Sequence, residues 1–197
     1  MSIGFGNTVE IFHPDWYNGE NGILRRIFMN FITVKTYEEL SKKAADIIAA
    51  EIIHKEDCVL GLATGSSPVG TYDRLTEMYE NGELDFSRVT SVNLDEYVGL
   101  DGTNDQSYRY FMNKHLFDRV NIDKANTSVP DGTAENVREF CSAYEAKLDE
   151  LGGTDVQVLG IGRNGHIGFN EPGSEITPET HVTELTDSTI EANARFF

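Results

Sequence analysis

Residues 155–173 read DVQVLGIGRNGHIGFNEPG, and the parsing of this stretch decides the fold. Its first seven residues, 155–161, read as a strand. Gly160, Gly162 and Gly165 then spell G-x-G-x-x-G. A dinucleotide fingerprint needs a helix to begin inside that glycine run, because the helix N-terminus receives the pyrophosphate. Here the chain continues through Gly168, Pro172 and Gly173, a density of breakers that opposes a helix. No strand ending in an acidic residue follows at the spacing a ribose contact requires. The stretch is therefore a strand leading into an irregular loop, and the dinucleotide reading fails.

Working outward, strands and helices alternate. Residues 31–34 (FITV) predict a short strand. Thr36 with Glu39 makes a capping box, opening a helix whose stripe is Tyr37, Leu40, Ala44, Ile47 and Ile48. Residues 58–63 (CVLGLA) are continuously apolar, as in a strand buried on both faces. A helix is expected from Val69 to about Tyr79, stopped by Asn81-Gly82. A strand follows at 89–94, then helices over roughly 105–118 and 134–151, the latter ended by Gly152-Gly153. Residues 181–185 (HVTEL) read as a further strand, with Asp187 capping a last helix. This alternation predicts an α/β fold of three layers, a doubly wound, mostly parallel, Rossmann-like sheet. Residues 1–29 show no sustained period and carry Gly, Asn and Pro throughout, so they are expected to be a leader or extension outside a domain spanning 30–197.

The totals narrow the function classes. At 197 residues the chain suits one α/β domain. A formal net charge of −17 opposes binding to nucleic acid or anionic membranes. Any anionic substrate must then be drawn by local groups. No apolar run approaches the roughly 18–20 residues of a membrane span, and no signal peptide is evident. Cys58 and Cys141 are unpatterned and read as buried free thiols, which suits a cytoplasmic location.

Parallel sheets bind ligands at the carboxyl ends of their strands, where three loops fall. Loop 162–173 places Asn164, His166, Asn170 and Glu171 between glycines that permit close approach of backbone to a ligand. Histidine can accept and donate a proton near neutrality, and Glu171 can hold its ring in one tautomer. The bland alternative is a turn-rich connection with a solvated His and Glu. Loop 64–68 offers the amides and hydroxyls of Gly65, Ser66 and Ser67 ahead of Pro68, an anion site at a helix N-terminus or plain capping by Ser67. In loop 95–99, Asp95 and Glu96 are neighbours on extended backbone and point to opposite sides, so at most one faces the cleft.

With these stretches in view, the chain resembles the glucosamine-6-phosphate deaminase (glucosamine/galactosamine-6-phosphate isomerase) family over about residues 30–197. LGLATGSSPVGTY, VNLDEYVGL, LGIGRNGHIGFNEPG and ANARFF carry the likeness, in that order. The resemblance implies a sugar-phosphate isomerase type of fold and conversion of glucosamine 6-phosphate and water to fructose 6-phosphate and ammonium, a net hydrolase, with no metal or organic cofactor. It implies Asp95 as the base moving a proton between C2 and C1. His166 becomes the acid/base of ring opening, with Glu171 as its partner. Gly65, Ser66, Ser67 and Arg195 become the phosphate site, and the partners a small sugar phosphate and a further copy in a homo-oligomer.

Two departures stand out. Some members carry Asp where this chain has Asn164; an amide orients the ring but takes up no proton. Family members also continue beyond the point matching Phe197 with more sheet, helices and a phosphate-site lysine, so the fold is expected to be C-terminally truncated. The rivals are therefore an inactive sugar-phosphate-binding module and a 6-phosphogluconolactonase-like hydrolase, which the NLDEYVGL stretch fits poorly. His181 and Thr183 stand where a regulated branch has basic residues, so no allosteric activation is expected.

Overall fold

Strand 59–62 lies inside the molecule because nothing in it is polar enough to remain outside. In the computed structural model, which describes residues 2–4, 8–12, 29–162, 164–173, 179–187 and 189–190, the chain opens with β1 (Ser2–Gly4), β2 (Thr8–Phe12) and β3 (Met29–Thr33). Helix α1 (Tyr37–His54) leads to the fully buried β4 (Val59–Leu62). Then follow α2 (Val69–Glu80), β5 (Thr90–Asn93), α3 (Tyr108–Met112), β6 (Thr127–Ser128), α4 (Val137–Glu150), β7 (Val156–Gln157) and β8 (Leu159–Ile161). Asn113–Phe117 extends α3 as a π-helical turn that buries Leu116 and Phe117.

Strands β6-β5-β4-β7 form a wholly parallel sheet, in register Val59↔Thr90, Ser91↔Thr127 and Leu60↔Val156. The chain steps from β4 through β5 to β6, then returns by α4 to pair β7 on the far side of β4. That reversal is a switch point, where the loops after β4 and β8 diverge and leave a crevice. Right-handed crossovers then put α4 on the face opposite α2. The core against β4 is built by Ala44 and Ile48 of α1, Tyr72 and Leu75 of α2, and Phe86, Met112 and Phe117, all within one apolar cluster. Each buried Leu, Ile or Phe contributes about 1.5–3 kcal/mol relative to exposure.

The starts and ends of elements follow local chemistry. Thr36 Oγ1 accepts the Glu39 amide at 3.1 Å, and Glu39 returns a bond to the Lys35 amide at 2.8 Å, so the expected capping box is present. Gly82 (φ +76°) and Gly152 (φ +75°) terminate α2 and α4 in left-handed backbone, as Asn81-Gly82 and Gly152-Gly153 predict. Asp155 accepts the Val59 amide at 2.8 Å and pairs with Lys55 at 2.9 Å, seating β7 beside β4. Cys58 and Cys141 are free and buried, and burial pushes the Cys58 thiol up to about 12.

Two expectations need correction, and strands in two places were not foreseen. Residues 181–185 form no strand: among the described residues none of them pairs with a neighbour, and alternation without a partner cannot make a ladder. Thr180 there bonds instead to Glu145 of α4. The last helix is capped at Thr186, whose carbonyl accepts from Thr189 and Ile190, while Asp187 is already helical. Strand β6 has only two residues before Val129-Pro130, too short to carry a period, and the sequence reading has no strand there. Within the stretch set apart as 1–29, β1 pairs parallel with β8 and β2 antiparallel with β1 and β3. Its segment Thr8–Phe12, TVEIF, does carry a period of two.

Candidate active site

Loop 64–68 leaves β4 at a point pinned by Tyr72, whose buried phenol donates to the Ala63 carbonyl at 2.5 Å and accepts the Ala63 amide at 3.2 Å. Gly65 sits at φ +94°, a left-handed turn that favours glycine. Helix α2 has no side-chain cap, so Ser67 does not fill the capping role and Pro68 takes the N-cap position. Instead Tyr37, expected only as part of an apolar stripe, turns its half-exposed phenol onto the loop. Its oxygen accepts the Gly70 amide at 2.8 Å, and its hydrogen faces the Ser66 and Ser67 carbonyls, each at 3.1 Å. Residues 63–68 face Val158, Leu159 and Gly160 across a cavity of about 70 Å³ at the switch point. Arg195, expected to complete this site, lies outside the described residues.

Asp95 and Glu96 follow β5 and divide as extended neighbours must. Glu96 turns to the start of α3, where its carboxylate accepts the amides of Tyr108 at 2.9 Å and Arg109 at 3.0 Å. Asp95 turns the other way. Desolvation, with the Glu96 charge adding to it, raises its carboxyl to about 7. A carboxyl at that value is poised to exchange a proton near neutrality.

The glycine-rich loop folds back on itself. The Gly162 amide donates to the His166 carbonyl at 2.8 Å, and the Gly165 amide to the Gly162 carbonyl at 2.9 Å. The imidazole lies so close over Gly162 that a Cβ there would stand 2.2 Å from its Cε1. Asn164 Oδ1 accepts the His166 amide at 3.2 Å, and Asn164 Nδ2 donates to Glu171 Oε2 at 2.5 Å. That same Oε2 is 3.9 Å from His166 Nδ1, which is buried and makes no hydrogen bond among the described residues. The other oxygen, Glu171 Oε1, accepts from the hydroxyls of Thr189 and Thr186, the latter at 3.0 Å. These bonds, Thr189 first, hold the Glu171 carboxyl below its ordinary value despite partial desolvation. Glu171 is thus an ionised group set to face an imidazolium.

The loops of Asp95 and His166 meet. Asp95 Oδ2 is 3.8 Å from the position of a Cβ built on Gly168, whose φ of +58° suits glycine. Phe169 stacks on Tyr108 with centroids 5.9 Å apart and tilts against Tyr97 at 5.4 Å, while Tyr97 and Tyr108 lie 5.0 Å apart. The Tyr108 phenol also interacts with the Thr64 side chain, and burial together with the Asp95 charge pushes it upward, so it stays protonated. Three aromatic rings therefore join all three loops beside the desolvated Asp95. The sequence reading missed these rings because aromatics at strand and helix ends carry no pattern that separates a site wall from a core. Thr186 and Thr189 were missed for the same reason. Among the described residues no group of three His, Cys, Asp or Glu side chains forms a metal site, and no helix is long and apolar enough to cross a membrane.

A parallel sheet with a carboxyl and histidine cluster and a serine-glycine loop at its switch point defines the class: an α/β protein with a polar crevice at the carboxyl ends of its strands. The chain belongs to the family of glucosamine-6-phosphate isomerases/6-phosphogluconolactonase, whose family model matches residues 34–195. It is 62% identical over 169 residues to a glucosamine-6-phosphate deaminase of Clostridium perfringens, covering 86% of this chain and 70% of that protein. A Clostridioides difficile glucosamine-6-phosphate deaminase is 56% identical, with 86% and 68% covered. The solved structure of a monomeric glucosamine-6-phosphate deaminase superposes with a TM-score of 0.81 at 48% identity, covering 83% of this chain and 68% of that one. A 6-phosphogluconolactonase from Thermotoga maritima, at 22% identity and a TM-score of 0.55, covering 67% of this chain and 58% of its own, shares the fold.

Proposed function

We propose that the chain acts on glucosamine 6-phosphate, isomerising and deaminating it to fructose 6-phosphate and ammonium. The observation that carries this reading is the meeting of a raised carboxyl, Asp95, with a separate His166–Glu171 pair through Gly168 and the Phe169 aromatic cluster. Two distinct proton carriers suit a reaction with two distinct proton movements. Ring opening delivers a proton to the ring oxygen and removes one from the C1 hydroxyl, which one imidazole relays while Glu171 stabilises its cationic form. Asp95 then takes the proton from C2 of the open aldose and returns it to C1, leaving an imine at C2; water adds to that imine to give a C2 carbinolamine, from which ammonia leaves. The substrate ammonium, once bound beside Asp95, favours the carboxylate form needed for this step.

The relatives' names as deaminases support this substrate, and describing the activity as an isomerising deaminase replaces the plain hydrolase description. The amides of residues 65–67 and Arg195 take the phosphate, countering locally a net charge of −17 that repels anions. Grip on the phosphate, remote from C1 and C2, supplies orientation. The test is coupled measurement of ammonium and fructose 6-phosphate from glucosamine 6-phosphate, with Asp95→Asn as the control. Equal turnover by parent and variant would remove Asp95 from the mechanism, and hydrolysis of 6-phosphogluconolactone in place of deamination would overturn the reading.

A further inference from the structure

Glu171 faces His166 from a position that its own loop does not fix. Of its two oxygens, Oε2 meets Asn164 and lies 3.9 Å from His166 Nδ1, while Oε1 is turned to residues fifteen and eighteen places further along the chain. Those residues, Thr186 and Thr189, sit on one helical turn. The Thr186 carbonyl accepts the Thr189 and Ile190 amides at 2.9 Å, and the two hydroxyls lie 3.3 Å apart. The Thr186 amide reaches the same Oε1 at 3.4 Å. Thr189 is 3% exposed and Glu171 8% exposed, so the contact is shielded from water. A carboxylate held only through Oε2 would be free to rotate about its last torsion, which is broad for glutamate. Two hydroxyls and one amide converging on Oε1 remove that freedom.

We propose that Thr186 and Thr189 are positioning residues of the proton-transfer site: their hydroxyls hold one oxygen of Glu171 so that the other is presented to Asn164 and His166. The inference rests on the proposed reaction only for its kinetic readout. Both hydroxyls donate to the charged form of Glu171, so they also keep it ionised when His166 gains a proton. His166 is a titratable group facing Glu171.

The test uses the full chain with Thr189→Val, Thr189→Ser and Thr186→Val, each measured in two ways. The first is the pH profile of kcat/KM for ammonium release; the second is the carboxyl carbon resonance of Glu171 titrated by NMR in the unliganded protein. Removing a donor to the charged form raises the Glu171 titration. Thr189→Val is therefore expected to move that titration upward by about one pH unit and to lower kcat/KM about tenfold through a misplaced Glu171, with the acid limb set by Asp95 unmoved. Thr189→Ser is expected to restore the parent behaviour. Thr186 lies at the surface, so Thr186→Val keeps the fold and should show a smaller shift in the same direction. An unmoved Glu171 resonance in Thr186→Val, or a serine variant as impaired as the valine one, overturns the proposal. Absence of ammonium from the parent would defeat the assigned reaction, while the resonance would still decide the role of the threonines.

Discussion

Asn164 stands between Glu171 and His166, donating its amide nitrogen to one at 2.5 Å and accepting the backbone N–H of the other at 3.2 Å with its amide oxygen. An amide can do both at once because it carries a donor and an acceptor on one plane. A carboxylate at this position could accept from His166 but would need a proton to serve Glu171.

Asn164→Leu is accordingly expected to lower kcat by about 10–100-fold through loss of loop and Glu171 orientation. Its side chain is exposed, so the unfolding midpoint should move by no more than about 2 °C. Asn164→Asp should stay active near neutrality and lose additional activity toward pH 5, since two adjacent carboxyls retain a proton longer than one. Steady-state kinetics across pH 5–9, with a thermal melt, checks both.

Asp95 links activity and stability to pH with opposite signs. As a base it must be ionised, so kcat/KM should rise through about pH 7, where its carboxyl titrates in the free protein. Its folded-state value is raised above that of the unfolded chain, so its contribution to stability is full below about pH 4 and is lost as pH rises through about 7. Asp95→Asn should remove this slope. Thermal melts should show the variant gaining stability relative to the parent between pH 5 and pH 8, while turnover falls by more than about a hundredfold. A parent–variant difference that does not change with pH would contradict the desolvation of this carboxyl.

Gly162 is tied to His166 by shape. A methyl group there would stand 2.2 Å from the imidazole, closer than any real contact, so the ring must move aside. The backbone at 162 is not left-handed, so Gly162→Ala should cost little folding stability. The expected result is a fall in kcat of about a hundredfold with a nearly unchanged melt, read by stopped-time ammonium assay and calorimetry.

We also propose that residues 30–197 are the folding unit. A chain begun at Met29 loses the pairing of β1 with β8 and of β2 with β3, which belongs to a second four-stranded sheet, β3-β2-β1-β8. It should keep one cooperative unfolding transition and the far-UV signature of the helices. Loss of that transition would make the first strands integral to the domain.

What could be read without coordinates was what a period or a breaker encodes. The continuous run at Val59–Leu62, the capping box at Thr36 and the glycine stops at 82 and 152 all follow from chemistry within a few residues, and each has its expected counterpart. The site loops were located the same way, as glycine- and serine-rich stretches after buried strands. What escaped depends on residues far apart in the chain. Strand β6 exists because β5 offers it a partner, and HVTEL fails as a strand because it has none. Phe169 against Tyr108, or Thr189 against Glu171, is a pairing across 18 to 61 positions that no local pattern marks.

The phenol of Tyr37 reaches from the first helix to clasp two carbonyls of the serine loop and the Gly70 amide of α2. The outline of that loop, the phosphate site of the proposed function, is thereby cast while the protein folds. Ligand capture then meets a ready-made cradle rather than a wandering segment, so the entropy of ordering is charged to folding and not to affinity. Tyr37→Phe would return that cost to the binding step, and weaker phosphate affinity with an unchanged catalytic constant is how it would be noticed.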